Sequence, residues 1–308
     1  MSFSRKIKKE LSTIESNACC QKAECYGLLL FGRAFSLSEM SILTQSPEVA
    51  DLYARHIKSF FNITALLTRS KADKYTVSVN DFADRKKILN EFGYTGNEIA
   101  LRINYANFEN DCCINAFLRG VFLSIGFITD PKKDYHLEFI TPKHKLSTDL
   151  LRIIEELSIT PKQIRRKSGY SLYIKDGESI EDVLGFMGAS NAFLYMMNVR
   201  ASKDMLNKIN RQYNFETANL HRTIEANMAQ LNNINTIIRL ASLDILGDEL
   251  FLLSRLRLDN KEATLAELGE MMEPSMSRSA VSRRFKKIEE KALELKKAAN
   301  SDENIHNK

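Results

Sequence analysis

The 308-residue sequence has no tryptophan, only five prolines and 12 glycines, and no apolar run of the roughly 18–20 residues that a membrane helix needs. Scarce proline and glycine exclude collagen-like and low-complexity chains. The missing apolar run excludes a helical membrane protein. The first residues, MSFSRKIKKELSTI, are basic but lack the apolar stretch and small-residue cleavage site of a secretory signal. A cytoplasmic location is therefore expected, with the five cysteines reduced. Glycine-rich phosphate loops, the GxSxG elbow and paired-histidine metal motifs are also missing, and the histidines (His56, His136, His144, His221, His306) are scattered. No cofactor is expected.

The cysteines are few but grouped: Cys19, Cys20, Cys25, Cys112 and Cys113. Adjacent cysteines on one helix point about 100° apart, a poor arrangement for a single metal ion. Small apolar packing is their expected role, and no metal is expected. What the chain does contain is ordinary globular material, 44% hydrophobic and 27% charged, long enough for two or three domains. Its net charge of +5 and pI near 8.8 tilt it toward an anionic partner.

A repeat with an offset of about 93 residues organises the first two thirds. CCQKAECYGLLLFGRAFSLS (from Cys19) is echoed by CCINAFLRGVFLSIGFITD (from Cys112), each with a doubled cysteine and a glycine inside an apolar helix. Extended segments follow (SEMSILTQ, DYHLEFIT), then a proline (Pro47, Pro142) suited to a helix first turn. The helices EVADLYARHIKSFFNI and HKLSTDLLRIIEELSI have i, i+3, i+4, i+7 apolar spacing. Strand pairs closing with KYTVSVND and GYSLYIKD come next, then short helices ending at Gly93 and Gly188, where a C-cap favours glycine. Each half thus reads αββαββα. Phe117, Leu118, Val121, Phe122 and Ile125 leave the second glycine helix little polar surface, so it must be buried nearly all round, with Gly120 approached closely by the helix around Gly27.

Duplicated glycine-containing helices followed by this pattern resemble the LAGLIDADG homing-endonuclease fold. The resemblance implies two central helices at a pseudo-dyad and paired sheets forming a saddle for DNA. In that family the motif's acidic residues serve the catalytic metal. The equivalent positions here are Leu30 and Gly32 in the first copy and Leu123 and Ile125 in the second. None is a carboxylate, and Mg²⁺ needs hard oxygen ligands. A protein that is not an enzyme is expected, with a divergent Mg-dependent nuclease as the distant rival.

Beyond residue 190 the composition turns helical. In TLAELGEMM, Thr264 and Glu267 have capping-box spacing, and Leu265, Leu268 and Met272 form an apolar face. After a turn at EPSM, Ser277 is placed to cap a helix whose Val281, Phe285 and Ile288 fall on one stripe. From Ser277 to Lys297 there are eight Lys/Arg against three acids, whereas Asp244 to Glu273 has three against eight. This is the layout of a helix-turn-helix with a basic second helix. The predicted DNA-binding residues are Ser277, Arg278, Ser279, Ser282, Arg283, Arg284, Lys286 and Lys287, with secondary contacts from Arg69, Lys71, Lys74, Arg165, Arg166 and Lys167.

The acid-free repeats, NFETANLHRT and SMSRSAVSRRFKKIEE together resemble the bacterial WhiA family over residues 1–297. The fold expected is α+β: a duplicated LAGLIDADG-like αββαββα unit followed by an all-α helix-turn-helix domain. The expected boundaries are 1–96 and 97–190 for the repeats (the first with its basic N-terminal segment), 191–237 for a helical connector, 238–298 for the helix-turn-helix domain (motif about 264–297), and 299–308 for a disordered tail. The resemblance implies a non-catalytic, sequence-specific regulator of cell division, chromosome segregation or transcription. Its partner would be double-stranded DNA and its place the nucleoid, with RNA polymerase or another regulator as a further partner. An adaptor acting through RNA polymerase or a sigma factor is the alternative. Ala280 and Arg283 stand where the family's glycine and histidine are expected, so base preference does not carry over.

Overall fold

The computed structural model describes residues 1–167 and 169–306, with side chains to Ala299. Two compact units divide after Asp204. The first begins with α1 (Phe3–Leu11), whose Ile7 and Leu11 are buried. The first repeat then reads α2 (Ala18–Leu30), β1 (Ala34–Phe35), β2 (Met40–Thr44), α3 (Pro47–Phe61), β3 (Leu66–Arg69), β4 (Tyr75–Ser78) and α4 (Phe82–Glu91). The second reads α5 (Asp111–Ile125), β5 (Gly126–Ile128), β6 (Leu137–Thr141), α6 (His144–Glu156), β7 (Lys162–Arg166), β8 (Gly169–Ile174) and α7 (Gly177–Met187). Both antiparallel sheets share one strand order, β1-β2-β4-β3 and β5-β6-β8-β7, so the expected αββαββα duplication is the observed fold. Pro47 opens α3 as expected. Pro142 instead stands outside α6, whose N-cap is Lys143. Gly93 and Gly188 end α4 and α7 at φ +79° and +86°, the left-handed values that favour glycine.

α2 and α5 lie side by side and run in the same direction. Cys19 and Cys20 meet Cys112 and Cys113 at one end, and Ser124 Oγ donates to the Phe31 carbonyl (2.9 Å) at the other. Between them the backbones touch. A Cβ on Gly27 would sit 2.5 Å from the Phe117 carbonyl oxygen, and one on Gly120 would collide with that of Glu24. At the 93-residue offset the two helices share Cys19/Cys112, Cys20/Cys113, Ala23/Ala116, Gly27/Gly120 and Leu30/Leu123. Four of these pairs recur at three- and four-residue steps, which is one stripe of a helix. The identities therefore fall on the seam where the copies meet.

One continuous core joins both repeats, from Ile7 to Met196. Deep in the seam, Arg119 Nη2 lies 3.1 Å from Glu24 Oε2, and His56 Nε2 lies 3.8 Å from the same oxygen. The sheet faces turned away from the helices show Leu43, Leu66, Phe127 and Ile164, each at least 39% exposed.

The connector expected at 191–237 lies within α8 (Ser190–Leu240), a single 51-residue helix that continues from the first unit into the second. The second unit adds α9 (Asp248–Asp259), α10 (Leu265–Glu270) and α11 (Arg278–His306). The backbone of α11 is helical to His306, through most of the stretch expected to be a tail, and no glycine or proline follows Pro274 to stop it. Residues 307 and 308 lie outside the described residues. Among those described, no helix is long and apolar enough to cross a membrane.

Candidate nucleic-acid interface

The second unit has its own core of Ile234, Ile237, Leu253, Leu268, Met272, Val281, Phe285, Ile288 and Ala292. Local chemistry sets its helix starts. Thr264 Oγ1 accepts from the Glu267 amide (3.3 Å) while Glu267 Oε2 accepts from the Thr264 amide (2.7 Å), a full capping box. Ser277 Oγ accepts from the Ala280 amide (3.3 Å) at the head of α11. Gly269 lets the intervening turn close, with the Met276 amide donating to its carbonyl (2.8 Å), and any side chain there would strike the Met276 oxygen.

Arg257, which sequence inspection missed, pins this arrangement from inside. It is fully buried, and its Nη1 donates to the carbonyls of Asn260 (3.3 Å), Lys261 (3.4 Å) and Ala263 (2.6 Å). Its Nε donates to Gln230 (3.0 Å), and its guanidinium lies 5.4 Å from the Phe285 ring. Burial lowers its pKa, yet an arginine keeps its proton. An arginine is thus spent on holding the α9–α10 loop under α11. No local signal marks it, since its partners are backbone oxygens.

With Val281, Phe285 and Ile288 inward, the opposite stripe of α11 is outward. Ser277, Arg278, Ser279, Ser282, Arg283, Lys286 and Lys287 are all exposed. Ser279, Ser282, Arg283 and Lys286 follow i, i+3, i+4, i+7 spacing and share one face. Two predicted residues are otherwise engaged. Arg284 is partly buried, its Nη2 bound to Glu249 Oε1 (2.5 Å) and its Nη1 to the Ala280 carbonyl (3.2 Å). The Ser277 hydroxyl serves the cap and bonds Ser279 Oγ (3.0 Å).

Beside the head of α11 lies a hollow of about 700 Å³ lined by Asn219, Arg222, Asn227, Gln230, Thr264 and Arg278, among others. It brings the NFETANLHRT segment of α8 against the helix-turn-helix. Arg222 thereby joins Arg278 on the wall of one polar hollow, a neighbour that spacing along the chain conceals.

A family model described as the WhiA C-terminal HTH domain matches residues 209–292, and one described as the WhiA LAGLIDADG-like domain matches residues 114–206. Proteins named "Probable cell division protein WhiA" are similar along nearly the whole chain. That of Alkaliphilus oremlandii is 36% identical, with 96% of this chain and 98% of that protein covered. That of Ruminiclostridium cellulolyticum is 36% identical, with 96% and 99% covered. The chain belongs to the WhiA family. A crystal structure of full-length WhiA from Thermatoga maritima shares the fold, with a TM-score of 0.58 at 22% identity over 96% of this chain and 99% of that one.

The WhiA LAGLIDADG-like unit places Leu30, Gly32, Leu123 and Ile125, the positions expected to match the nuclease motif's acids, at the C-terminal ends of α2 and α5. Leu30 and Leu123 are fully buried, and Gly32 and Ile125 are partly exposed. Cations stand at both ends, supplied by the chain. Lys8 Nζ donates to the Leu123 carbonyl (3.1 Å), and Lys143 Nζ to the Leu30 carbonyl (3.4 Å). Both meet the negative end of a helix dipole. Desolvation nevertheless brings each ammonium down to about 8.

The six secondary candidates do not share a face. Arg69 pairs across the sheet with Tyr75, two residues from the buried Val77, and Arg165 pairs with Tyr170, two from the buried Leu172. Both therefore lie on the helix side at strand ends. Arg69 also binds Asp73 (2.6 Å). Arg166 lies on the outer face, 3.3 Å from Glu138. Lys71, Lys74 and Lys167 are exposed in the hairpin turns.

Proposed function

We propose that this chain is a sequence-specific DNA-binding regulator serving cell division, with chromosome segregation or transcription as the process it controls, and that it does not cut DNA. The observation that carries the proposal is the exposed face of α11, where hydroxyls and cations stand on a helix fixed by its own buried core. Its first turns enter the major groove. Ser279, Ser282, Arg283 and Lys286 reach base edges, with Arg283 suited to guanine. Arg278, Lys287 and, across the hollow, Arg222 hold phosphates and set the register. Leu30, Gly32, Leu123 and Ile125 offer no oxygen side chain to Mg²⁺, and Lys8 and Lys143 occupy the carbonyls at those helix ends.

Fluorescence anisotropy on duplexes selected from a random library tests this. Arg283→Ala should flatten the preference at one base position, and Lys287→Ala should weaken all duplexes and reduce the salt slope by about one. Binding by both variants indistinguishable from the parent would refute the interface. Mg²⁺-dependent cleavage of the selected duplexes would refute the non-catalytic reading.

A further inference from the structure

Four thiols that the DNA-binding reading leaves unused gather where α2 and α5 begin. The Sγ atoms of Cys19, Cys20, Cys112 and Cys113 all lie within 4.8 Å of one another, and all four cysteines are free. Taken one pair at a time, adjacent cysteines diverge on a helix. The pseudo-dyad supplies a second diverging pair facing the first, and two such pairs together enclose a point. A tetrahedral ion with bonds of about 2.3 Å holds its sulfurs about 3.8 Å apart, so small side-chain adjustments close the set around one ion. A cluster with bridging sulfides needs its ligand thiolates farther apart, which favours a single ion.

Positive charge is available to these sulfurs from the helix starts. Both helices start at an asparagine, Asn17 and Asn110, and neither side chain caps its own helix. The amide ends of two helices therefore face the thiols without a capping oxygen, and each contributes about half a positive charge. Asn110 Nδ2 points instead at Cys19 Sγ (3.8 Å). Cys20 and Cys113 are buried while Cys112 is exposed, giving the site a closed floor and an entrance.

We propose that Cys19, Cys20, Cys112 and Cys113 form a tetrathiolate site for one zinc(II) ion that staples the two repeats at the N-terminal ends of α2 and α5. Binding is a ligand exchange without redox change. Zn²⁺ displaces four thiol protons to give a complex of charge −2, which the two helix ends offset.

The full chain, purified untagged under argon with a phosphine reductant, is incubated with zinc, desalted and measured by inductively coupled plasma mass spectrometry. One zinc per chain is expected. Cobalt(II) in its place should give intense tetrahedral ligand-field bands with thiolate-to-cobalt charge transfer. Cys112→Ser, at the exposed position, should weaken zinc affinity by about 100-fold or more and remove part of the charge-transfer intensity, with its circular dichroism unchanged. Cys25→Ala, outside the cluster, should leave both intact, and for either variant metal content is read only on the folded, monodisperse fraction. Four titratable thiols with no retained zinc would overturn the proposal. So would an interhelical disulfide found by mass under the same reducing conditions, or zinc held equally well by Cys112→Ser.

Discussion

In the repeat unit several arginines are committed: Arg102 holds Asp149 through two bonds of 2.6 and 2.7 Å, Arg119 holds Glu24, Arg200 holds Glu181, and Arg166 lies against Glu138. On α11, Arg278, Arg283, Lys286 and Lys287 are exposed and join none of the ion pairs among the described residues. The same residue types therefore do different work in the two units. A cation matched inside the fold supports the fold. One left facing water on a rigid helix is available to a polyanion. Arg257 and Arg284 show the rule within the second unit itself, since Arg257 is bound to loop carbonyls and Arg284 to Glu249.

The largest test of that contrast is steric. Gly120→Ala drives a methyl group into the Glu24 carbonyl at the seam. It should destabilise the repeat unit by about 3 kcal/mol or more, read as a collapse of its thermal transition. Next comes Arg257→Met, which leaves the Asn260 and Ala263 carbonyls without this donor and the Lys261 carbonyl with Asn227 alone, and should cost the second unit about 2–4 kcal/mol in urea unfolding. DNA affinity should fall with it, although Arg257 never meets DNA. Arg283→Ala should do the reverse, removing about 1–3 kcal/mol of base discrimination while unfolding stays within about 0.5 kcal/mol of the parent.

A comparable effect, set by pH, belongs to Lys8. Its ammonium titrates near 8 in the folded chain against about 10.4 when unfolded, so the unfolded state carries the extra proton between those values. Stability contributed by this position must therefore rise as pH climbs from 8 to 10.5, and the penalty is fully present below 8. Against Lys8→Met, whose side chain does not titrate, the parent should gain about 2–3 kcal/mol across that window. Measuring the difference removes the opposing titration of the buried phenols. The smallest effect is expected for Arg69→Ala, whose guanidinium is tied to Asp73 on the helix side of its sheet. Its DNA affinity and salt slope should match the parent's, and a clear loss would show that the repeat unit shares in binding.

Much of the architecture was readable along the chain because its determinants are local. Periodicity, capping pairs and turn residues marked the duplicated αββαββα pattern, the Thr264–Glu267 box and the inward stripe of α11. Even the contact between Gly27 and Gly120 followed from a repeat offset. What stayed hidden depends on residues far apart in sequence. Nothing near Arg284 announces Glu249, nothing near Lys143 announces Leu30, and nothing near Arg222 announces Arg278. The facing of Arg69 and Arg165 turned on strand register, where a shift of one residue reverses every side chain. The convergence of the cysteines was hidden for a related reason: it belongs to both pairs together, and neither pair alone reveals it.

That last point reaches past chemistry to how such a chain stores instructions. A segment lying on a pseudo-dyad touches its own copy, so whatever is written there is written twice and read together. A two-letter word, Cys-Cys, becomes four converging sulfurs, and a single glycine becomes a mutual notch. Away from that seam the two halves are free to drift apart, as Gly32 and Ile125 have done. On it, a change in either copy is felt by the other at once.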